Sequence, residues 1–268
     1  MNLEPVAPRE RPSLDDKDAS PPKDLPKGDE LKAKIEKQLE KLGELQSVFY
    51  ADGRHSLLVV LQGRDASGKD GVVRTVVGAA NPAGVRIHSF KAPTPVELAH
   101  DYLWRIHQVT PEKGSFGIFN RSHYEDVLVV RVHNFVPKSV WSKRYDQINH
   151  FEKMLTENGT VILKFFLHVS RDEQKKRLVE RVEDETKKWK FNAGDLEERK
   201  LWNEYTEAYQ DAIAKCSTKW APWYIVPSDS NKARNYLIAK KIVDTLEGLD
   251  LKYPEPKTDL DQYLKDLK

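Results

Sequence analysis

The chain has 268 residues, with 44 Lys or Arg and 42 Asp or Glu, so its formal net charge is only +2. This near balance argues against a general nucleic-acid coat but leaves room for a local basic groove. The single cysteine, Cys216, excludes an intramolecular disulfide and is interpreted as an inert structural thiol. No apolar run approaches the roughly 20 residues that a membrane helix needs, and the start lacks the apolar core of a signal peptide, so a cytoplasmic protein is predicted.

The first predicted elements are an N-terminal segment and a long helix. Residues 1–28 are rich in Pro, Asp and Lys, which predicts a flexible tail or an extended arm that buries little apolar area. An amphipathic helix follows. Its apolar stripe consists of Leu31, Ile35, Leu39, Leu42 and Leu45. This stripe predicts packing on the domain or on another subunit.

Strands and helices then alternate. Strands are predicted at residues 56–62, 85–90, 116–120, 161–169 and 223–227. Helical segments are predicted at about 69–80, 95–109, 136–158, 171–182, 196–216 and 235–249. The alternation predicts an α/β fold of three layers, with a parallel sheet of about five strands and helices on both faces. Residues 29–252 form the predicted domain, and the polar residues 253–268 form a loose or partner-bound C-terminal tail.

The segment QGRDASGKDG, residues 62–71, almost completes the P-loop pattern G-x-x-x-x-G-K-[ST]. It lies between a buried strand and a helix, which is the context in which this motif binds phosphate. Gly63 and Gly68 let backbone N–H groups turn toward phosphate oxygens, and Lys69 adds a full positive charge to the partial charge of the helix N-terminus. The alternative is a glycine-rich turn with a solvent-exposed lysine, which the preceding strand disfavours.

Two carboxylates lie in this loop. Asp70 occupies the position of the usual metal-binding hydroxyl, and Asp65 lies inside the loop. Acidic groups beside a phosphate site predict a divalent cation between acid and phosphate, and Asp65 is the better candidate to hold it. For Asp70, stabilisation of its carboxylate by the helix dipole is an equally good explanation.

Charged side chains also follow the third predicted strand, in FGIFNRSHYEDVLVVRV. Because open α/β sheets bind ligands at the carboxyl ends of their strands, this cluster predicts substrate contacts. Arg121 is suited to clamp a phosphoryl group bidentately, and Glu125 and Asp126 offer carboxylates. The alternative is a solvated helix start capped by Ser122. His123 is interpreted as a structural residue rather than a base, since phosphoryl transfer depends mainly on positioning and charge neutralisation.

The strongly charged residues 171–200 predict a helical lid. Arg177 and Arg181 are four residues apart and therefore lie on one helix face, and a run of lysines follows them. The alternative is a solvated charged helix, but the position behind a P-loop favours a lid over the phosphate cleft. Trp189 and Phe191 are expected to anchor this lid, with base stacking as the alternative.

These blocks resemble the family-2 polyphosphate kinases. The resemblance covers about residues 30–255 and is carried by LQGRDASGKDG, NPAGVRIHSFKAPTPVELAHDYLWRIHQ, FNRSHYEDVLVVRVHNFVP, LKFFLHVSRDEQKKRL, KKWKFNAGDL and APWYIVP. It implies a P-loop kinase-like fold with a lid. It also implies direct, reversible, in-line transfer of the terminal phosphoryl group of inorganic polyphosphate to a nucleotide, with Mg²⁺ or Mn²⁺. Members of this family carry Asp or Gly after the P-loop lysine, which accounts for Asp70.

The resemblance implies roles by position. Asp65, Lys69 and Arg121 would be catalytic: Asp65 holds metal, Lys69 binds the phosphates in transit, and Arg121 stabilises the transferring group. Asp126 is the second candidate metal ligand. The further candidate contacts to phosphate or substrate are Gly63, Ala66, Ser67, Gly68, Asp70, Arg74, Lys91, Arg105, Asn120, Glu125, Arg131, Arg177 and Arg181.

The form Tyr124-Glu125-Asp126 resembles the subgroup that accepts both AMP and ADP. Asn120 departs from the Asp that many relatives have there, so a metal role is not carried over to it. The expected partners are inorganic polyphosphate and adenine nucleotides, with guanine nucleotides as further candidates, in a homodimer or homotetramer without nucleic acid or membrane. Two rival interpretations are an ATP-dependent nucleoside monophosphate kinase of the thymidylate type and a non-catalytic P-loop protein that senses polyphosphate or nucleotide.

Overall fold

The computed structural model describes residues 2–267, except the side chains of residues 261, 262 and 266. Met1 and Lys268, which belong to the two predicted tails, lie outside the described residues. The sheet consists of β1 (Ser56–Gln62), β2 (Val85–Ser89), β3 (Phe116–Asn120), β4 (Thr160–His168) and β5 (Trp223–Pro227). The strands lie in the order β2-β3-β1-β4-β5, and each neighbouring pair is parallel. The five predicted strands and the α/β fold class are therefore confirmed.

Helices cover both faces of this sheet. They are α1 (Gly28–Asp52), α2 (Lys69–Thr75), α3 (Pro95–Leu98), α4 (Trp104–His107), α5 (Val129–Val132), α6 (Lys138–Trp141), α7 (Arg144–Glu157), α8 (Arg171–Glu183), α9 (Gly194–Lys200), α10 (Trp202–Cys216), α11 (Asn231–Glu247) and α12 (Leu260–Asp266). Because side chains alternate between the faces of a strand, β1 contributes Leu57, Val59 and Leu61 to one core cluster and Leu58 and Val60 to the other. The first cluster contains residues of α1 and α11, and the second contains residues of α7 and α10.

The parallel register brings the carboxyl ends of the strands to one edge of the sheet. Leu61 of β1 is paired with Asn120, the last residue of β3, and Gln62 is paired with Phe166 of β4. His168, the last residue of β4, is paired with Pro227 of β5. The loops that follow these strands therefore meet at one edge, which is where such sheets bind ligands.

Four predicted helices are interrupted. The segment 69–80 forms α2, which ends at Thr75, and a separate 3-10 turn at Val77–Ala79. The segment 95–109 forms α3 and α4 instead of one helix, because the Asp101 side chain accepts a hydrogen bond from the Leu103 backbone N–H at 2.9 Å and forms a local turn there. The segments 136–158 and 196–216 are divided in the same way, into α6 and α7 and into α9 and α10. Amphipathic periodicity continues across such breaks, so it did not reveal them.

The N-terminal segment is an extended arm, and it buries more apolar area than its composition predicted. Its buried apolar side chains are Leu3, Leu14, Ala19 and Leu25. Val6 donates its backbone N–H to the carbonyl of Trp223 at 2.9 Å, and Asp229 donates to the carbonyl of Ala19 at 3.1 Å. The mean composition of this segment is dominated by its charged residues, so it hides the few apolar side chains between them. Each of these apolar side chains packs into the domain separately. At the other end, α12 lies within the predicted tail.

Among the described residues, the structure contains no helix that is long and apolar enough to cross a membrane. Cys216 is buried with 0% of its surface exposed, and burial raises the pKa of its thiol to about 12. The burial of Cys216 agrees with its interpretation as a structural thiol.

Candidate active site

The loop between β1 and α2 has the backbone shape of a phosphate-binding loop. Gly68 has a φ of +100°, and a Cβ atom at this position would lie 1.9 Å from Nη1 of Arg234. Gly63 has a φ of +153°, and a Cβ atom there would lie 2.8 Å from the carbonyl oxygen of Leu167. Both positions therefore need glycine, for backbone conformation and for space.

Lys69 is the first residue of α2, and its side chain turns back over the loop. Its Nζ donates hydrogen bonds to the carbonyl oxygens of Gly63 at 2.7 Å and Arg64 at 3.1 Å. Burial, and after it the nearby positive charge of Arg121, together lower the pKa of Lys69 to about 8, against the opposing effect of Asp65. A phosphate in this loop would supply the anionic partner that the amine lacks in the described part of the chain.

Asp70 links the P-loop helix to the end of β3 and to the lid. Its Oδ1 accepts a hydrogen bond from Nδ2 of Asn120 at 3.0 Å, and its Oδ2 lies 3.6 Å from Nζ of Lys190. Burial alone would raise the pKa of Asp70, but the amide of Asn120 and the ammonium group of Lys190 hold it below its ordinary value. The two residues that depart from the common P-loop kinase pattern are thus in contact with each other.

Arg121 lies between two carboxylates. Its Nη2 donates to Oδ1 of Asp65 at 2.6 Å, and its Nη1 lies 3.6 Å from Oε2 of Glu125. Burial would lower the pKa of Arg121, but Glu125 and Asp65 hold it above its ordinary value. The backbone of Arg121 has a φ of +62°, which is rare for a residue with a side chain and is often found at functional sites.

The P-loop opens into a large cleft with a volume of about 1040 Å³. Ten Lys or Arg residues line this cleft, against five Asp or Glu residues. The cations come from α2 behind the P-loop, from the segments that follow β2 and β3, from α8, from the segment between α8 and α9, and from α11. A chain whose total charge is nearly balanced thus concentrates positive charge on one concave surface.

A smaller cavity of about 250 Å³ lies on the other side of the ion pair between Asp65 and Arg121. Both residues line both cavities. The smaller cavity also has aromatic walls, from Trp202, Tyr205 and Tyr209. The Asp65–Arg121 pair therefore separates a strongly cationic cleft from a compartment that is partly aromatic.

Comparison with known proteins identifies the family. The family model "Polyphosphate kinase 2" matches residues 26–254. The chain belongs to the polyphosphate kinase 2 family. It is 57% identical over 229 residues to an AMP/ADP-polyphosphate phosphotransferase of Meiothermus ruber, and the aligned region covers 85% of each chain. It is 46% identical over 230 residues to an ADP-polyphosphate phosphotransferase of Rhodopseudomonas palustris, covering 81% of this chain and 80% of that protein.

The fold agrees with this assignment. The crystal structure of polyphosphate kinase 2 from Arthrobacter aurescens TC1 superposes with a TM-score of 0.87 at 42% sequence identity, covering 90% of this chain and 87% of that one. The expectation of a P-loop kinase-like fold is confirmed. As a member of the polyphosphate kinase 2 family, the chain is a phosphotransferase.

Most of the predicted site residues of this polyphosphate kinase 2 family member lie together. Those lining the large cleft are Asp65, Ala66, Gly68, Lys69, Asp70, Arg74, Lys91, Asn120, Arg121, Arg177 and Arg181. Gly63 and Glu125 line the smaller cavity. Arg177 also fixes the lid helix α8 to the loop, since its Nη1 donates to the carbonyl of Ala66 at 3.0 Å and its Nη2 donates to that of Ser228 at 2.7 Å.

Four predicted site residues are not brought to either cavity lining. Asp126 pairs with Arg144 at 2.8 Å and does not join Asp65, so the structure does not support it as a second metal ligand. Burial raises the pKa of Asp126 to about 6, and Arg144 opposes this shift. Arg131 instead pairs with Asp211 at 2.8 Å.

Arg105 and Ser67 are the other two. Arg105 donates to the carbonyl of Lys91 at 2.9 Å, so it supports the backbone of a cleft residue rather than facing the cleft. Ser67 is fully buried, and its contribution to the loop is its backbone, whose carbonyl accepts hydrogen bonds from Arg177 and Arg234. Sequence position near a motif did not reveal the direction of these side chains.

The expectation for the aromatic residues of the lid is wrong, whereas the interpretation of His123 agrees with the structure. Trp189 and Phe191 do not anchor the lid, because they are 78% and 40% exposed. Trp189 instead lines the large cleft. His123 is buried with 0% exposure and contacts Glu152 through Nε2 at 3.2 Å, which agrees with its interpretation as a structural residue.

Sequence analysis missed Arg234. Its guanidinium group is buried against the P-loop, where Nη1 donates to the carbonyl of Ser67 at 3.3 Å and to Oδ1 of Asn231 at 2.6 Å. Within the part of the chain that the structure describes, no carboxylate forms an ion pair with it, and burial lowers its pKa to about 10. The available signal was the polar stretch SDSNKARN directly after β5, at the same sheet edge as the P-loop.

Proposed function

We propose that this chain transfers the terminal phosphoryl group of inorganic polyphosphate to AMP and ADP. The observation that carries the proposal is the twofold excess of cationic over acidic side chains in the cleft beside the P-loop, in a protein with 44 basic and 42 acidic residues overall. Every unit of polyphosphate is anionic, so several units need a continuous cationic surface beside the reacting end. A nucleotide alone would not need so extended a surface.

The simplest reaction is a direct in-line displacement. A terminal phosphate oxygen of the nucleotide attacks the terminal phosphorus of polyphosphate, and the bond from that phosphorus to the bridging oxygen breaks. The shortened polyphosphate leaves with the electron pair. One phosphoanhydride bond is broken and one is formed, so the reaction is reversible. Lys69 and Arg121 carry the charges that stabilise the transferring group.

Arg121 is suited to this role because it lies between Asp65 and Glu125 and lines both cavities. The two carboxylates restrict the guanidinium group before substrate arrives, which reduces the reorganisation needed during reaction. In the same site, Lys69 can exchange its bonds to the loop carbonyls for bonds to phosphate oxygens.

We extend the proposal to a divalent cation, Mg²⁺ or Mn²⁺. The described residues contain no group of three or more His, Cys, Asp or Glu side chains placed to hold a metal ion. This fits Mg²⁺, which is usually held by one or two carboxylates together with waters and substrate phosphates. Asp65 would hold it, and the ion would neutralise phosphate charge. Binding of Mn²⁺, followed by electron paramagnetic resonance, should depend on tripolyphosphate and weaken in Asp65→Asn.

The acceptors are proposed to be both AMP and ADP, because Tyr124-Glu125-Asp126 has the form of the subgroup that uses both. Use of guanine nucleotides and formation of a homodimer or homotetramer stay predictions. They are checked by supplying GDP or GMP as acceptor and by light scattering of the purified protein.

The decisive experiment supplies polyphosphate as the only phosphoryl donor. With ADP, ATP formation is followed by luciferase luminescence, and with AMP, ADP formation is followed by chromatography. We expect product from both acceptors, and loss of turnover in Lys69→Ala and in Asp65→Asn. Lys240→Ala is the matched control, because Lys240 pairs with Asp244 on α11 and does not line the cleft. Turnover with ATP but not with polyphosphate as donor would contradict the proposal and favour a nucleoside monophosphate kinase.

A further inference from the structure

A cluster of charged and polar side chains is buried in the core, and two of its members belong to the turn that follows β3 and Arg121. It consists of Lys164 in β4, Glu152 in α7, and Tyr124 and His123 in the turn after β3, each with 0% of its surface exposed. Lys164 Nζ donates to both the Glu152 carboxylate and the Tyr124 hydroxyl, the latter at 2.8 Å. Tyr124 in turn donates to Oε1 of Glu152 at 2.8 Å, which His123 Nε2 contacts at 3.2 Å. We call these four residues the buried cluster.

The buried cluster is not explained by stability. The free energy lost by desolvating a buried Lys–Glu pair often equals or exceeds the free energy gained from the attraction between the two charges. Well-packed apolar residues of the same size often give a protein of equal or greater stability. Burial alone would raise the pKa of Glu152, but Lys164 and His123 hold it below its ordinary value, so this carboxylate remains ionised in the core. A sealed ion pair in the middle of a central strand therefore calls for another purpose.

The buried cluster does not touch substrate space either. None of its four residues is among those lining the large cleft or the smaller cavity beside the Asp65–Arg121 pair. Residues of the active site and residues of the buried cluster nevertheless share one short turn: Arg121 and Glu125 flank His123 and Tyr124. Contacts in the core therefore act on the backbone that carries the active-site side chains.

The turn is held at several further points. The backbone N–H of Arg121 donates to the carbonyl of Leu61 at 3.0 Å. The Ser122 hydroxyl accepts hydrogen bonds from Tyr124 N–H and from Nε2 of Gln62, both at 3.1 Å. Arg121 itself has a φ of +62°. A strained residue of this kind persists only where its surroundings fix it, and the largest set of fixed partners here is the buried cluster.

We propose that the buried cluster is a positioning device, which holds the turn 121–125 so that Arg121 stays between Asp65 and Glu125. This inference rests on the proposed function for its catalytic consequence. Phosphoryl transfer depends strongly on placement, and a displacement of about 1 Å can reduce the rate by about a hundredfold. The buried cluster acts through Arg121, so it affects the transition state more than the binding of substrates.

The test is Tyr124→Phe, which removes only the hydroxyl that accepts from Lys164 and donates to Glu152. The matched control is Ser56→Ala, which removes a buried hydroxyl that donates to Thr160 at 3.0 Å at the amino end of β1. We expect kcat to fall about tenfold in Tyr124→Phe with KM for ADP and for polyphosphate nearly unchanged, as for a lost transition-state interaction. Ser56→Ala should unfold at a similarly lowered temperature but keep its kcat.

A second readout does not depend on activity. The guanidinium resonance of Arg121, in protein labelled with ¹⁵N-arginine, can be assigned by its loss in Arg121→Lys. It should shift or broaden in Tyr124→Phe and stay in place in Ser56→Ala. If wild-type protein makes no ATP from polyphosphate, the proposed function fails, while this resonance still tests the positioning inference.

The inference is overturned if Tyr124→Phe keeps wild-type kcat, if its kcat falls no more than that of Ser56→Ala, or if the Arg121 resonance is unmoved. Should Tyr124→Phe fail to fold, the double variant Lys164→Met with Glu152→Leu replaces it, since it removes both charges and keeps apolar volume. The double variant should fold and show the same fall in kcat. Failure of both variants to fold would show that the buried cluster is only structural.

Discussion

Gly68→Ala tests whether the P-loop is shaped by the guanidinium group of Arg234. The new Cβ would lie 1.9 Å from Nη1 and 2.7 Å from Cζ of Arg234, at a residue with a φ of +100°. Gly78 offers a comparison, because a Cβ atom added there would be 3.9 Å from its nearest neighbour and would clash with nothing. Gly68→Ala therefore combines backbone strain with displacement of a buried cation.

The two contributions can be estimated separately. A left-handed conformation costs an L-residue about 1–2 kcal/mol. Arg234 must also withdraw from hydrogen bonds to Ser67 and Asn231, and a bond that involves a charged group contributes about 1.5–3 kcal/mol. With both bonds lost, the expected loss is about 4–8 kcal/mol, comparable to the total stability of a typical protein, which is roughly 5–15 kcal/mol.

Urea unfolding measures this loss, with Gly78→Ala as the control that should change stability by less than about 0.5 kcal/mol. The same substitution is then made in an Arg234→Ala background, where the side chain that clashes is gone. There the cost of Gly68→Ala should fall to the backbone contribution of about 1–2 kcal/mol. An equal cost in both backgrounds would refute the assignment of the clash to Arg234.

The remaining predictions concern charge in the cleft. In the proposed function phosphate is bound by protonated Lys69, whose pKa in the free protein is about 8, so kcat/KM for polyphosphate should fall as pH rises through about 8. A bound phosphate would raise this pKa, so kcat at saturating polyphosphate should stay constant to a higher pH than kcat/KM does. Profiles of kcat and of kcat/KM from roughly pH 7 to 9.5 check both expectations. A kcat/KM that does not change over this range contradicts the reasoning. Lys176→Ala, in the cleft, should raise KM for polyphosphate and weaken its salt dependence, whereas Lys240→Ala should do neither. Equal effects of the two substitutions would argue against a cationic cleft.

The strands and the P-loop could be predicted because their signals are local. A run such as SLLVVLQ is apolar throughout, and its seven residues are all buried in the structure. The glycines and Lys69 of the loop follow directly from the pattern and its position between a strand and a helix. Parallel pairing then brings Asn120 and Arg121 to the same edge without further information.

Contacts between distant segments could not be predicted in this way. Arg234 is separated from Ser67 by 167 positions, and no local pattern in either segment predicts that the two are in contact. The pairing of Asp126 with Arg144 likewise turned a candidate metal ligand into part of an ion pair beside the site. The apolar burial along the N-terminal arm was missed for a different reason, since four apolar side chains spread among many polar ones leave the composition nearly unchanged.

The bonds of Arg177 determine which part of the lid can swing. Because this residue joins α8 both to the carbonyl of Ala66 and to that of Ser228, α8 is a fixed stem. Any hinge of the predicted lid is therefore expected beyond Glu183. Asp195 and Arg199 are also bonded to α8, through Arg181 at 2.8 Å and through the carbonyl of Arg171 at 2.8 Å, so the segment expected to move for a polymer is limited to residues 184–194. Extra residues inserted beside Thr186 should leave the contacts between α8 and the P-loop intact. Insertions within α8 should break the hydrogen bonds of Arg177 to Ala66 and Ser228.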